Sequence, residues 1–123
     1  MKRILIIDDA ATVRMYHRNI LQTAGYAVDE AINGMEALEK ALQTRFDLYL
    51  VDVNMPKLDG YGFLRELRSQ DVAQAPAIMI STEASADDRK RAYAAGANLY
   101  LVKPMQPEQL LAPVALLLGD MTP

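Results

Sequence analysis

The chain has 123 residues with a formal net charge of −3, and its 51% hydrophobic content is typical of one globular domain with a single core. Lysine and arginine are scattered rather than gathered into a basic stripe, which argues against direct nucleic-acid binding. No apolar run approaches the ~20 residues of a membrane span, and the absence of cysteine excludes disulfides and thiolate metal sites, as expected of a cytoplasmic protein.

Short apolar runs alternate with amphipathic segments along the whole chain. Five runs have the nearly continuous hydrophobicity of strands that are covered on both faces, and they span residues 3–7, 27–31, 46–51, 77–81 and 99–102. The first helical segment ends at Ala24 before Gly25, and its inner face is predicted to carry Val13, Tyr16 and Ile20.

Capping residues indicate where the later helices begin and end. Asn33 is the predicted N-cap of a helix that runs from residue 35 to about residue 42. Ser85 opens a helix with an acidic first turn, and Gly96 closes it. Pro107 suits the first turn of the last helix.

Three features carry structural predictions of their own. His17, the only histidine, is predicted to be an exposed residue of the first helix. Pro113 is predicted to break or to start the last helix, because a proline inside a helix costs about 3 kcal/mol. The run Leu116–Leu118 is predicted to pack on the sheet, with self-association as the alternative.

The alternation predicts an α/β fold in which a parallel sheet carries helices on both faces. Because crossovers are right-handed, few topologies remain, and we expect a flavodoxin-like, doubly wound sheet of five strands in the order 2-1-3-4-5. Residues 1–123 are expected to form this single domain. Ligands in such folds bind beyond the carboxyl ends of the strands, where the strand order reverses.

Polar side chains stand at that edge in four of the five predicted strands. Asp8 and Asp9 follow the first strand, Asp52 the third and Lys103 the fifth, and Ser81 ends the fourth. Taken singly, each of these polar residues has an ordinary structural explanation, as a helix cap, a turn residue or a surface charge. Three carboxylates within ~5 Å repel one another by about 3 kcal/mol per pair at an effective dielectric of about 20, so a divalent cation is expected among them.

The same residues have the chemistry of phosphoryl transfer. A carboxylate such as Asp52 can accept a phosphoryl group as an acyl phosphate. The charge on the phosphoryl oxygens then requires a metal on one side and a cation on another, which Lys103 supplies. The hydroxyl of Ser81 can donate a hydrogen bond to a phosphoryl oxygen, and Thr82 beside it is the alternative for that role.

With these residues in this order, the sequence resembles the receiver domains of response regulators, and in particular the CheY-like regulators of chemotaxis. The resemblance extends from Ile4 to about Leu111 and rests on Asp8-Asp9, Asp52, Asn54-Met55-Pro56, Asp59-Gly60, Ser81 and Lys103-Pro104. It implies a two-component signalling switch rather than an enzyme with turnover. A histidine kinase would phosphorylate Asp52 in a reaction that depends on Mg²⁺ or Mn²⁺, and phosphorylation and dephosphorylation would be self-catalysed.

The resemblance also implies a metal-binding set. Asp9, Asp52 and the backbone carbonyl of Asn54 would hold the cation, with Asp8 acting through water. Asn54 and Glu83 would tune hydrolysis, and this pair predicts a short-lived phosphoryl group.

Further roles follow for the switch. Ser81 would move toward the phosphoryl group, Tyr100 would swing inward behind it, and Lys103 would precede a cis bond to Pro104. Met105 departs from the family, which commonly has an aromatic residue there.

The implied partners are a histidine kinase or phosphotransfer protein as donor and a downstream protein that binds the fourth helix, fifth strand and fifth helix. The chain would be a monomer or a phosphorylation-linked dimer, with no nucleic-acid or membrane partner. Alternatives are the N-terminal receiver of a longer regulator and an aspartyl-phosphate phosphohydrolase of the haloacid-dehalogenase type. Such hydrolases place an Asp-x-Asp nucleophile after the first strand, whereas Asp8 and Asp9 are adjacent.

Overall fold

The computed structural model describes residues 1–120, which form five strands alternating with five helices. The strands are β1 (Arg3–Ile7), β2 (Ala27–Ala31), β3 (Leu48–Asp52), β4 (Ala77–Ser81) and β5 (Leu99–Val102). The helices are α1 (Ala11–Thr23), α2 (Gly34–Gln43), α3 (Gly60–Ser69), α4 (Ala86–Ala95) and α5 (Pro107–Leu118). No helix within residues 1–120 has both the length and the apolar character needed to cross a membrane.

All neighbouring strands pair in parallel, in the predicted order β2-β1-β3-β4-β5. Because successive side chains of a strand point to opposite faces, the sheet is flanked by two apolar cores. Leu5 of β1 belongs to the core under α2, α3 and α4, and its neighbour Ile4 belongs to the core under α1 and α5. The fold prediction is confirmed, and β3 begins two residues later than expected.

The predicted caps form as the sequence indicates. The Asn33 side chain accepts a hydrogen bond from the Glu36 N–H at 2.8 Å, and Ser85 caps α4 in the same way through the Asp88 N–H. Gly96 ends α4 with φ of 115°, a left-handed conformation that favours glycine.

Helix α1 is rotated relative to the predicted inner face. His17 is only 3% exposed, so the prediction that it lies on the surface is wrong, and Leu21 one turn later is fully buried. Tyr16, predicted to face inward, is 45% exposed and donates its hydroxyl to the Met105 carbonyl at 2.9 Å. This hydrogen bond joins α1 to the chain between β5 and α5, and no local pattern could have predicted it.

Helix α5 runs through Pro113 without interruption, so the predicted break is wrong. Leu110, Val114 and Leu118 recur every four residues and are all buried against the sheet. Burial of each such side chain contributes about 1.5–3 kcal/mol, which together exceeds the cost of one interior proline. The expected packing of the leucine run holds for Leu118, while Leu116 is exposed.

Candidate functional site

Three carboxylates gather at the carboxyl ends of β1 and β3. The two strands pair with Ile7 opposite Val51, which places Asp8 and Asp52 side by side at the sheet edge. Asp8, Asp9 and Asp52 each offer one carboxylate oxygen, and these oxygens lie within 4.8 Å of one another. Asp8 and Asp52 are buried, whereas Asp9 is exposed.

Lys103, which follows β5, reaches back into this acidic cluster. Its Nζ lies 2.7 Å from Oδ1 of Asp52 and 3.2 Å from Oδ2 of Asp8. Its backbone N–H donates to the Ser81 carbonyl at 2.8 Å, so the end of β4 fixes its starting point. The peptide bond between Lys103 and Pro104 is cis.

The pKa values follow from this geometry. Burial raises the pKa of Asp52, the hydrogen bond from Lys103 opposes the shift, and the charges of Asp8 and Asp9 add to it. Burial alone would lower the pKa of Lys103, but the hydrogen bond and charge of Asp52, together with Asp8, outweigh it and raise the pKa. Lys103 therefore stays in the ammonium form, whereas burial destabilises the ionised form of Asp52.

Asp8 is engaged through both of its carboxylate oxygens. Oδ1 accepts from the Ala10 N–H at 2.9 Å, and Oδ2 accepts from Lys103. Carboxylate, carbonyl and water oxygens are the ligands that Mg²⁺ prefers, so the donor set of this cluster suits such a cation.

Ser81 and Tyr100 are connected through the backbone of Glu83. The Ser81 hydroxyl accepts from the Glu83 N–H at 3.1 Å, and the Tyr100 hydroxyl donates to the Glu83 carbonyl at 2.7 Å. Ser81 is buried and Thr82 is exposed, so Ser81 is the hydroxyl enclosed at the end of β4. Tyr100 is 4% exposed and thus already lies inside the fold.

Asn54 lies in the loop between β3 and α3, and it is exposed. The loop starts from Val53, whose N–H donates to the Ile80 carbonyl, and returns at Gly60, whose N–H donates to the Val53 carbonyl at 2.9 Å. A Cβ on Gly60 would lie 2.4 Å from the Asp52 carbonyl oxygen, which only glycine avoids. Gly60, the first residue of α3, thereby brings the end of the loop directly against Asp52.

Two arginines of α4 make contacts that sequence reasoning missed. The Arg91 guanidinium lies 4.3 Å from the ring centre of Tyr61, and that of Arg89 lies 5.2 Å from the ring centre of Tyr100. These are distances at which a cation is attracted to an aromatic face. Each partner ring lies on another element, so periodicity within α4 gives no signal for the pair.

Residues 4–115 match the family model of the response regulator receiver domain. The chain is 37% identical over 116 residues to the transcriptional regulatory protein ResD of Bacillus subtilis, a match that covers 94% of this chain and 48% of ResD. It is 42% identical over 102 residues to the gliding motility regulatory protein of Myxococcus xanthus, covering 82% of this chain and 13% of that protein. The chain thus spans half or less of the length of these curated relatives.

Solved structures give the same result at the level of the fold. The chemotaxis protein CheY4 of Vibrio cholerae is 39% identical and superimposes with a TM-score of 0.90, covering 95% of this chain and 98% of that chain. A CheY-like receiver domain protein of Methanospirillum hungatei is 31% identical with a TM-score of 0.90, covering 98% and 95% of the two chains. The chain therefore belongs to the response regulator receiver domains, the signalling switches of two-component systems.

Proposed function

We propose that Asp52 accepts a phosphoryl group from a histidine kinase or phosphotransfer protein, with Mg²⁺ or Mn²⁺ bound, and that the phosphorylated chain binds a partner differently. The observation that carries this proposal is the 2.7 Å ion pair between Asp52 and Lys103, next to two further carboxylates. A carboxylate nucleophile, an acidic cation site and a fixed ammonium group are the three components that phosphoryl transfer to a protein requires.

The cation would be held by Asp9, Asp52 and the backbone carbonyl of Asn54. Asp8 would act through water, and the engagement of both its oxygens by Ala10 and Lys103 supports this role. When bound, the cation would neutralise the carboxylates and the charge on the phosphoryl oxygens.

In the transfer step, an oxygen of Asp52 attacks phosphorus while the P–N bond of the donor's phosphohistidine breaks and its electron pair leaves with the imidazole nitrogen. Lys103 stays protonated, because Asp52 and Asp8 raise its pKa, and its charge balances a phosphoryl oxygen. Ser81 already accepts a hydrogen bond from Glu83, so its own hydroxyl hydrogen is available for donation to another phosphoryl oxygen.

The structural effect of phosphorylation would reach the protein surface through the backbone of Glu83. A shift of Ser81 pulls on the Glu83 backbone, to which the Tyr100 hydroxyl is bonded, and Tyr100 lies on β5 beside α4. The face formed by α4, β5 and α5 would therefore change, and we propose it as the binding site of the downstream protein. Because Tyr100 is already buried, the signal in this chain would be a tightening of this connection.

We further propose that residues 1–123 act as one cytoplasmic receiver domain, a monomer or a phosphorylation-linked dimer, without direct binding to nucleic acid or membrane. The greater length of the curated relatives is compatible with the alternative, in which this domain is the receiver of a longer regulator.

Labelling with acetyl phosphate and Mg²⁺, followed by mass spectrometry, tests the proposal. We expect one phosphoryl group per chain, lost with a chelator and lost in Asp52→Asn, and retained in the exposed control Asp71→Asn. Equal labelling of Asp52→Asn would refute it. Sustained turnover of a phosphomonoester would favour the phosphohydrolase alternative.

Asn54 and Glu83 are both exposed, and we propose that they set the lifetime of the phosphoryl group. Substitution of either residue by alanine should change the dephosphorylation rate of the labelled chain. Unchanged rates in both variants would remove this part of the proposal.

A further inference from the structure

The loop between β3 and α3 is fastened to the beginning of α2, an element that carries none of the proposed site residues. The Gly34 N–H donates to the Leu58 carbonyl at 3.1 Å, and the Met35 N–H donates to the Lys57 carbonyl at 3.2 Å. The first N–H groups of a helix have no acceptor within the helix itself. Here the loop supplies two of those acceptors, so the two segments stabilise each other.

This contact requires glycine at position 34. A Cβ there would lie 2.2 Å from the Leu58 carbonyl oxygen and 2.9 Å from its carbonyl carbon. Both atoms belong to the backbone, so the collision cannot be relieved by rotating a side chain. Gly34 is therefore needed for the space it leaves, not for an unusual backbone conformation.

The fastened part of the loop has an unusual backbone. Lys57 has φ of 50° and Leu58 has φ of 81°, conformations that residues other than glycine rarely adopt. Such conformations persist where the surrounding structure determines them and cluster at functional sites. The two hydrogen bonds from α2 hold the carbonyl groups of these residues, and the Leu58 side chain also packs against the core.

The other parts of the loop are fixed at Asp52. Val53 is bonded to the Ile80 carbonyl, and Gly60 returns against the backbone of Asp52 itself. Asn54 therefore lies between two hydrogen-bonded segments, the end of β3 and the Lys57–Leu58 contact with α2, and the buried Met55 follows it directly. Only Met55 and Pro56 separate Asn54 from Lys57, so the α2 contact is close along the chain to the Asn54 carbonyl.

We infer that Gly34 is a positioning residue for the cation site: by admitting the Lys57–Leu58 backbone to the first turn of α2, it fixes the loop that carries the Asn54 carbonyl. This inference rests on the proposed function, in which that carbonyl is a metal ligand. Gly34 touches neither the cation nor the phosphoryl group, so it acts entirely through the loop.

The first test is Mg²⁺ titration of Gly34→Ala by calorimetry, with the fold checked by circular dichroism. We expect Mg²⁺ affinity to fall by about 10- to 100-fold, as for the loss of groups that orient metal ligands. Labelling of Asp52 by acetyl phosphate should recover at saturating Mg²⁺, a separation that a general loss of stability would not produce. The matched control is Gly25→Ala, which strains a backbone with φ of 98°, meets no atom within 4 Å and should leave Mg²⁺ affinity unchanged.

A second pair of variants decides the matter if Gly34→Ala does not fold. Lys57→Val and Lys57→Asn remove the same exposed charge, but only asparagine tolerates positive φ. We expect weaker Mg²⁺ binding in Lys57→Val and wild-type binding in Lys57→Asn. If Mg²⁺ affinity is unchanged in both Gly34→Ala and Lys57→Val, or in whichever of the two folds, the inference about Gly34 is overturned and the proposed function is not affected. A wild-type chain that binds no Mg²⁺ would overturn the proposed function and this inference with it.

Discussion

The carboxyl group of Asp52 is buried among charges of both signs. Burial raises its pKa despite the hydrogen bond from Lys103, and Asp8 and Asp9 reinforce the shift. A raised pKa means that the ionised carboxylate is less stable in the folded chain than in the unfolded chain. We therefore expect Asp52→Asn to increase the free energy of unfolding at neutral pH.

The pH dependence of this difference has a defined sign. As the pH falls through the folded-state pKa, the wild-type carboxyl takes up its proton and the wild type gains stability relative to Asp52→Asn. The difference should close only below about pH 4, where the carboxyl of the unfolded chain is also protonated. Urea denaturation across this range measures it, and Asp71→Asn, on the surface, should show no gain. An Asp52→Asn chain less stable than wild type at neutral pH would contradict the argument.

His17 is the second titratable residue whose burial has a measurable consequence. Burial lowers its pKa, Asp8 opposes the shift and Lys103 adds to it, and its Nδ1 has no hydrogen-bond partner within the described part of the chain. Below about pH 6.5 the unfolded chain binds a proton at this histidine before the folded chain does, so stability falls with acidification until the folded-state pKa is reached.

The variant His17→Leu removes this titration and leaves no unpaired buried nitrogen. We expect its unfolding free energy to change less than that of the wild type between about pH 6.5 and pH 5, a window above the titration of ordinary carboxyls. Denaturant midpoints of both chains at these pH values make the comparison. Equal slopes in the two chains would show that His17 is not the residue responsible.

At the scale of the elements, α4 is held by little apolar burial. Its buried residues are Ala92 and Ala95, and its arginines lie over aromatic rings of the neighbouring elements. Loss of the contact over Tyr61 in Arg91→Ala should weaken the docking of α4 by about 0.5–1 kcal/mol. In Arg91→Ala, hydrogen exchange in α4 should be faster than in the wild type, while exchange in the sheet stays the same. The exposed Arg65→Ala is the control and should leave exchange in α4 unchanged. Exchange in α4 that does not change in Arg91→Ala would count against the contact.

The elements themselves could be predicted where local chemistry determines them. Asn33 caps α2 through a contact three residues away, and Gly96 ends α4 through its own backbone conformation, so both were predicted correctly. The side of α1 that is buried and the continuity of α5 at Pro113 depend on contacts with distant segments. Packing of Leu110 and Val114 on the sheet, rather than local helix propensity, decides the second case.

At the scale of the whole molecule, the candidate site could be located from the sequence because a parallel sheet brings the carboxyl ends of its strands to one edge. Asp52 and Lys103 are far apart in sequence yet lie in contact there. The contact of Gly34 with Leu58 could not be predicted, since nothing in either segment identifies the other as its partner. Topology was thus sufficient to locate the charged residues but not the backbone contacts that position them.

The central claim is that these strand ends bind a cation and present Asp52 to phosphorus. A crystal structure of the chain with Mg²⁺ and beryllofluoride, a mimic of the phosphoryl group, tests it most directly. We predict beryllofluoride on a carboxylate oxygen of Asp52, in contact with Lys103 and Ser81, and Mg²⁺ on Asp9, Asp52 and the Asn54 carbonyl. An adduct on another residue, or Mg²⁺ bound away from these carboxylates, would contradict the account.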